Sequence, residues 1–250
     1  RDQPRSRGLG DVYKRQLVGL GETFYAAESV EAYIHTNLAP NVLGMSAIDI
    51  EAVHYRARPY IGFVGASVEL RARSALDIAL WDAFGKATNQ PVSVLLGGRI
   101  RDKIPVYNTC AGYRYVRGPK VGATENFGIQ APTAADDYED LHRFLNDPVG
   151  LAGSLLDMGI SSMKIWPFDF AAEASQGQFI SPTDLKKALW PFEEIKKEYG
   201  DRMQVSAELH GVWNLSESLI ICQALDDIDV RWIEDPVLSL IHISEPTRPR

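Results

Sequence analysis

Apolar positions divide the chain into two stretches of different period. Up to about Gly98 they recur at helical spacing. Val30, Ile34 and Leu38 form one stripe within Glu28 to Leu38, a helix that Pro40 is expected to end. A longer helix is predicted over Val68 to Thr88. There Ala72, Ala75, Leu76, Ala79, Leu80 and Ala83 fall at i, i+3, i+4 and i+7, and the small side chains permit close packing. Between the two helices, residues 58 to 67 (RPYIGFVGAS) carry Gly62 and Gly65 as expected hinges of a mobile loop.

After LLGG, residues 95 to 98, short β-rich runs take over: IPVYNT (104 to 109), SSMKIW (161 to 166), MQVSAEL (203 to 209) and VRWIED (230 to 235). Helical patterns over Pro182 to Tyr199 and Ser216 to Leu225 separate the later runs. Strands alternating with helices predict a parallel sheet built from βα units. The polar stretch from Tyr113 to Asp147 is expected to be an extended loop with a helix of open extent.

The two ends are expected to have a different origin from the middle. Residues 6 to 16 (SRGLGDVYKRQ) and 238 to 248 (LSLIHISEPTR) are translations of the two complementary strands of one DNA segment. No folding requirement produces that relation, so residues 1 to 16 and 238 to 250 are expected to be an adapter-like artefact around a natural segment, Leu17 to Val237, cut from a longer gene. The net charge of −7 then becomes −11 for the segment, because the flanks contribute +4. An acidic chain of this kind argues against a nucleic-acid partner, which needs a basic face.

Cys110 and Cys222 are the only cysteines, far apart, and imply no disulfide framework, so a cytoplasmic location is expected. No uninterrupted apolar run approaches the roughly 18 residues of a membrane span, and no membrane partner is expected.

Polar residues close the predicted strands: Lys164, then Glu208 with His210, then Glu234 with Asp235. In a parallel β/α barrel that end of every strand faces the active site. A lone strand-end carboxylate is commonly a helix cap or a surface ion-pair partner. Glu208 and Glu234 lie 26 residues apart, as one βα unit requires, which would bring two like charges together at one sheet edge. A hard divalent cation such as Mg2+ would relieve that repulsion and leave positions for substrate oxygens. His210, two residues past Glu208, would share its face on a strand and suits general acid or base work, although a satisfied polar histidine is the plainer alternative. Lys164 could neutralise a substrate carboxylate or form a buried ion pair with one of the glutamates. Trp166, Phe168 and Trp213 could line a pocket or a core.

The succession SALDIALWDAFGKATNQPVSVLLGG, PVYNT, MKIW, AELH and WIEDP resembles the enolase superfamily, in its mandelate racemase and muconate lactonizing enzyme branch, over essentially all of Leu17 to Val237. The resemblance implies an α+β capping domain, here residues 17 to 103, followed by a truncated TIM-type β/α barrel of about the first four strands in residues 104 to 237. It implies Mg2+ held by three carboxylates on consecutive strands, with Glu208 the first, Glu234 the second and the third on the strand that would follow. The family removes the proton alpha to a carboxylate, and the cation stabilises the resulting enediolate.

Racemases and cycloisomerases of the branch carry Lys-x-Lys on the second strand. This chain has Lys164, Ile165 and Trp166 there, without the second lysine. The Glu208-x-His210 pattern instead resembles sugar-acid dehydratases of the galactonate and mannonate type, which place Asp where Glu208 stands. That likeness implies His210 as the general acid for loss of the 3-hydroxyl, Lys164 and Trp166 as contacts to a small sugar acid, and a homo-oligomer at full length. A racemase or epimerase using His210, and an inactive fragment, are the alternatives.

Overall fold

The computed structural model describes residues 17–23, 26–58, 67–112 and 139–238. Residues 59–66 of the 58–67 loop, with its two glycines, most of the 113–147 stretch, and both flanks except Leu238 lie outside the described residues. The chain divides into two compact units, residues 1–103 and 104–250.

The first unit is helical where described. Helix α1 (Ala27–Tyr33) runs into a π-helical turn (Ile34–Leu38) and on into α2 (Ala39–Val42), so the helix does not stop at Pro40. The π turn explains the correction. The Ala39 amide bonds the Ile34 carbonyl five residues back, and Pro40 follows at the first turn of α2, where a missing N–H costs little. Then come α3 (Ile50–Arg56), α4 (Val68–Thr88) and α5 (Val92–Leu95). Ala72, buried on α4, meets Val30 and Leu38 in one small core, and Leu80 meets Ile50 and Val53 in another. Residues 17–23 lie along α4: the Leu20 amide donates to Asp82 at 2.7 Å and Lys86 donates to the Val18 carbonyl at 2.8 Å.

In the second unit, α6 (Asp140–Asn146) and α7 (Pro148–Asp157) precede β1 (Ser162–Ile165). Next are α8 (Asp169–Ser175), α9 (Pro182–Tyr199), a 3-10 turn (Gly200–Arg202), β2 (Gln204–Glu208), α10 (Leu215–Asp226) and β3 (Ile233–Glu234). Each long helix starts where the sequence supplies a cap: Ser181 accepts from the Asp184 amide and Asn214 from the Glu217 amide. The sheet order is β1-β2-β3, all parallel, with Lys164 opposite Ser206 and Glu208 opposite Glu234.

The stretch at 104–109 is not a strand over its length. Only Asn108 joins β1, its amide donating to Ser162 and its carbonyl accepting from Lys164. Side chains alternate across the sheet. Met163, Ile165, Val205 and Ala207 enter one core with Phe144, Phe192 and Ile195 from the helices, leaving Lys164, Ser206, Glu208 and Glu234 on the other face. Phe168 and Trp213 are fully buried members of that core.

Candidate active site at the strand ends

Register brings the acidic pair together. Glu208 and Glu234 are directly opposed at the carboxyl edge of β2 and β3, and the Lys164 ammonium sits between them. Its Nζ donates to Glu208 Oε2 at 2.7 Å and to Glu234 Oε2 at 2.6 Å. Lys164 and Glu208 are buried, whereas Glu234 is partly exposed. Burial opposes the lysine's charge, but the two carboxylates outweigh it and push its pKa up to about 12. Burial works against Glu234 as well, and its hydrogen bond to Lys164 overcomes it, holding the carboxyl below the usual range. The Tyr107 ring, 5.7 Å from Nζ, adds a cation–π contact and meets Trp232 edge-on at 5.1 Å. Trp232 Nε1 lies 3.5 Å from Glu234 Oε2.

The repulsion between the two glutamates is thus relieved by an internal cation. Convergence of two carboxylate oxygens on one positive centre is also what a hard divalent ion requires of its ligands. Glu208 and Glu234 therefore fit two ligand positions of Mg2+. Among the described residues no group of three or more His, Cys, Asp or Glu side chains is placed to hold a metal ion.

His210 reaches this site by a route that strand alternation does not describe. Strand β2 ends at Glu208, and His210 takes a left-handed conformation (φ 51°) in the turn beyond. Its amide donates back to Glu208 Oε1 at 2.9 Å, and its ring Nδ1 lies 2.8 Å from Asp169 Oδ2. Burial disfavours the imidazolium, yet the hydrogen bond and charge of Asp169 prevail and raise the histidine above its ordinary pKa. Asp169 is itself raised, because burial outweighs its bond to His210.

Trp166, expected as a substrate contact, is buried beside His210. It is 2% exposed and stands behind His210, 5.3 Å away and perpendicular to it, with Phe144 on its other flank. Cys110 offers no nucleophile. Burial, aided by the charge of Asp140, pushes its thiol well above the ordinary value.

Sequence reasoning missed Asp169, Tyr107 and Trp232. A signal for Asp169 existed in its position just after the Trp166-Pro167-Phe168 end of β1, at the same sheet edge as His210. Two residues just past the strand ends, His210 (φ 51°) and Asp235 (φ 44°), take a left-handed conformation that non-glycine residues seldom adopt. The loops are tied together. The Asn214 amide donates to the Gly177 carbonyl, the Ile180 amide to Glu217, and the Gly211 amide to the Asp235 carbonyl.

A parallel sheet of βα units with polar and acidic residues gathered at its carboxyl edge is the arrangement found where β/α barrels carry their sites. Residues 11–97 match the domain described as mandelate racemase / muconate lactonizing enzyme, N-terminal domain, and residues 149–245 match the enolase C-terminal domain-like family. The chain belongs to the mandelate racemase and muconate lactonizing enzyme branch of the enolase superfamily.

Among its relatives, a D-galactonate dehydratase family member of Streptomyces bingchenggensis is 26% identical over 225 residues, covering 88% of this chain and 51% of that protein. Muconate cycloisomerase 1 of Pseudomonas putida is 27% identical over 230 residues, covering 92% of this chain and 48% of its own length. A crystal structure of an enolase of the mandelate racemase subgroup from Agrobacterium tumefaciens superposes with a TM-score of 0.71 at 42% identity, covering 89% of this chain and 51% of that one. The chain spans about half the length of the curated relatives it matches.

Proposed function

We propose that the whole protein dehydrates a small sugar acid, removing the proton alpha to the carboxylate and expelling the 3-hydroxyl as water. The observation that carries this reading is the placement of His210, bonded through its amide to Glu208 and through its ring to a buried acid, at the edge where Glu208 and Glu234 converge. Glu208 and Glu234 would hold Mg2+, which when bound supplies positive charge where negative charge develops on the substrate carboxylate.

The described groups serve the substrate carboxylate and the leaving hydroxyl; the base that accepts the alpha proton is not assigned among them. His210, which Asp169 holds above its ordinary pKa, is the group placed to give a proton to the departing hydroxyl. Lys164 offers its ammonium to the substrate carboxylate in exchange for part of its present pairing with the glutamates. Trp166, perpendicular to the imidazole at 5.3 Å, restricts its rotation. Where a cycloisomerase or racemase of the branch has its second lysine, Trp166 has no basic atom, which favours water loss over racemisation through that position.

Incubation of the chain, and of any longer product of its gene, with Mg2+ and a panel of sugar acids is expected to yield a 2-keto-3-deoxy acid from at least one of them. Deuterium exchange at C2 with recovery of an isomer, and no water lost, would instead establish an epimerase and overturn the dehydratase reading.

A further inference from the structure

Asp169 is the least explained charged group in the second unit. It is 7% exposed, yet it caps nothing: α8 begins at this residue, and the position before it, Phe168, makes no side-chain cap. Burying a carboxylate costs several kcal/mol unless a partner recovers the loss. The partner is His210. Oδ2 lies 2.8 Å from the imidazole Nδ1, while Oδ1 is buried with no hydrogen-bond partner among the described residues. The carboxylate's only described hydrogen bond is therefore directed at one ring nitrogen of a residue 41 positions away.

A carboxylate accepts and cannot donate, so a hydrogen bond to Nδ1 requires the proton to be on Nδ1. Trp166, perpendicular to the ring at 5.3 Å, limits the other motion available to the imidazole. The left-handed backbone at His210 (φ 51°) holds the ring's attachment point where both contacts are made.

We propose that Asp169 is a positioning residue for His210: it fixes the Nδ1–H tautomer and the ring orientation, so that Nε2 is the nitrogen that takes up a proton to form the imidazolium and gives it up again. The role in catalysis rests on the reading of His210 as general acid; the tautomer assignment stands by itself. A buried carboxylate that orients an imidazole through Nδ1–H is the arrangement by which a serine-protease Asp holds its His, and there an Asn substitution preserves geometry but selects the wrong tautomer.

Long-range 15N–1H correlation spectra of the chain separate the two neutral tautomers. The His210 signals are assigned by their loss in His210→Gln and followed upward in pH until the neutral ring is seen. The expected wild-type result is Nδ1–H with a bare Nε2. Asp169→Asn, nearly isosteric, is expected to shift His210 toward Nε2–H, and Asp169→Ala to return it to the mixture of an unconstrained imidazole. A wild-type Nε2–H tautomer, or Nδ1–H persisting in the variants, would sink the assignment. Because the wild-type spectrum decides by itself, poor folding of a variant does not leave the question open.

In an active product of the gene, Asp169→Asn is expected to lower kcat by about 10²–10⁴-fold with KM little changed. Correct tautomers without water loss from any sugar acid would overturn the dehydratase and leave Asp169 in place. Water loss with the wrong tautomer would do the reverse.

Discussion

At the scale of single residues, the decisive group is Lys164. Its ammonium holds two opposed carboxylates together from a buried position. Removing it leaves Glu208 buried without its cation. Lys164→Met is expected to destabilise the second unit by about 2–4 kcal/mol, the low side of the usual cost of breaking a buried pair because Glu234 is partly exposed. Mg2+ supplies the missing charge at the same carboxylates, so the variant should gain more in thermal midpoint from added Mg2+ than the wild type does. Thermal unfolding with and without Mg2+ checks both, and equal Mg2+ responses would remove Glu208 and Glu234 from the metal site. Much of this site was legible in advance. Lys164, Glu208 and Glu234 each end an apolar run, and a parallel sheet brings such ends to one edge. The lysine's bond to both glutamates was not, because register decides it: Lys164 faces Ser206, one pleat short of Glu208, and only its long side chain spans the difference. Asp169 left only its position after β1 as a signal, since a 41-residue contact leaves no periodic trace in sequence.

At the scale of elements, periodicity succeeded where packing is regular. Helices α4 and α9 begin and end at the predicted residues, Val68 to Thr88 and Pro182 to Tyr199: α9 is amphipathic and capped by Ser181, and α4 carries its small and apolar side chains at helical spacing over 21 residues. It failed at short elements. Helix α8 has seven residues, too few to show a repeat, and the run at 104–109 pairs only through Asn108 despite its β-branched composition. The loop connecting α8 to α9 shows what fixes the site between elements. Gly177, at φ +70°, accepts from the Asn214 amide, and a Cβ added there would overlap the Val212 carbonyl oxygen. Backbone cannot yield as a flexible side chain can. Gly177→Ala is therefore expected to cost more than the ~1 kcal/mol typical of a left-handed glycine and to move the 209–214 loop. Denaturant unfolding should show the loss, and the His210 amide resonance should shift with it; an unchanged His210 environment would mean that the two loops are not coupled.

At the scale of the whole molecule, apolar surface and sheet edges set the behaviour. The three-stranded sheet ends in β3, a two-residue strand with no further neighbour among the described residues, and its other side is joined only through Asn108. Helix α10 exposes Leu215 and Leu219, one turn apart, together with Ile220. Ile104 and Val106 are 77% and 62% exposed beside β1. Unpaired strand edges flanked by apolar side chains recruit other chains, since both backbone groups and hydrophobic area gain partners on contact. The 250-residue chain is therefore expected to elute above its 27.8 kDa mass and to grow larger with concentration. Leu219→Lys combined with Ile220→Lys places two charges on the exposed face of α10, away from the buried Ile221 and Leu225 that anchor the helix. The pair should shift elution toward the monomer while helix content stays constant. If light scattering instead finds the unmodified chain at its monomer mass across the concentration range, these surfaces are covered in solution, and association is not the fate of this sheet edge.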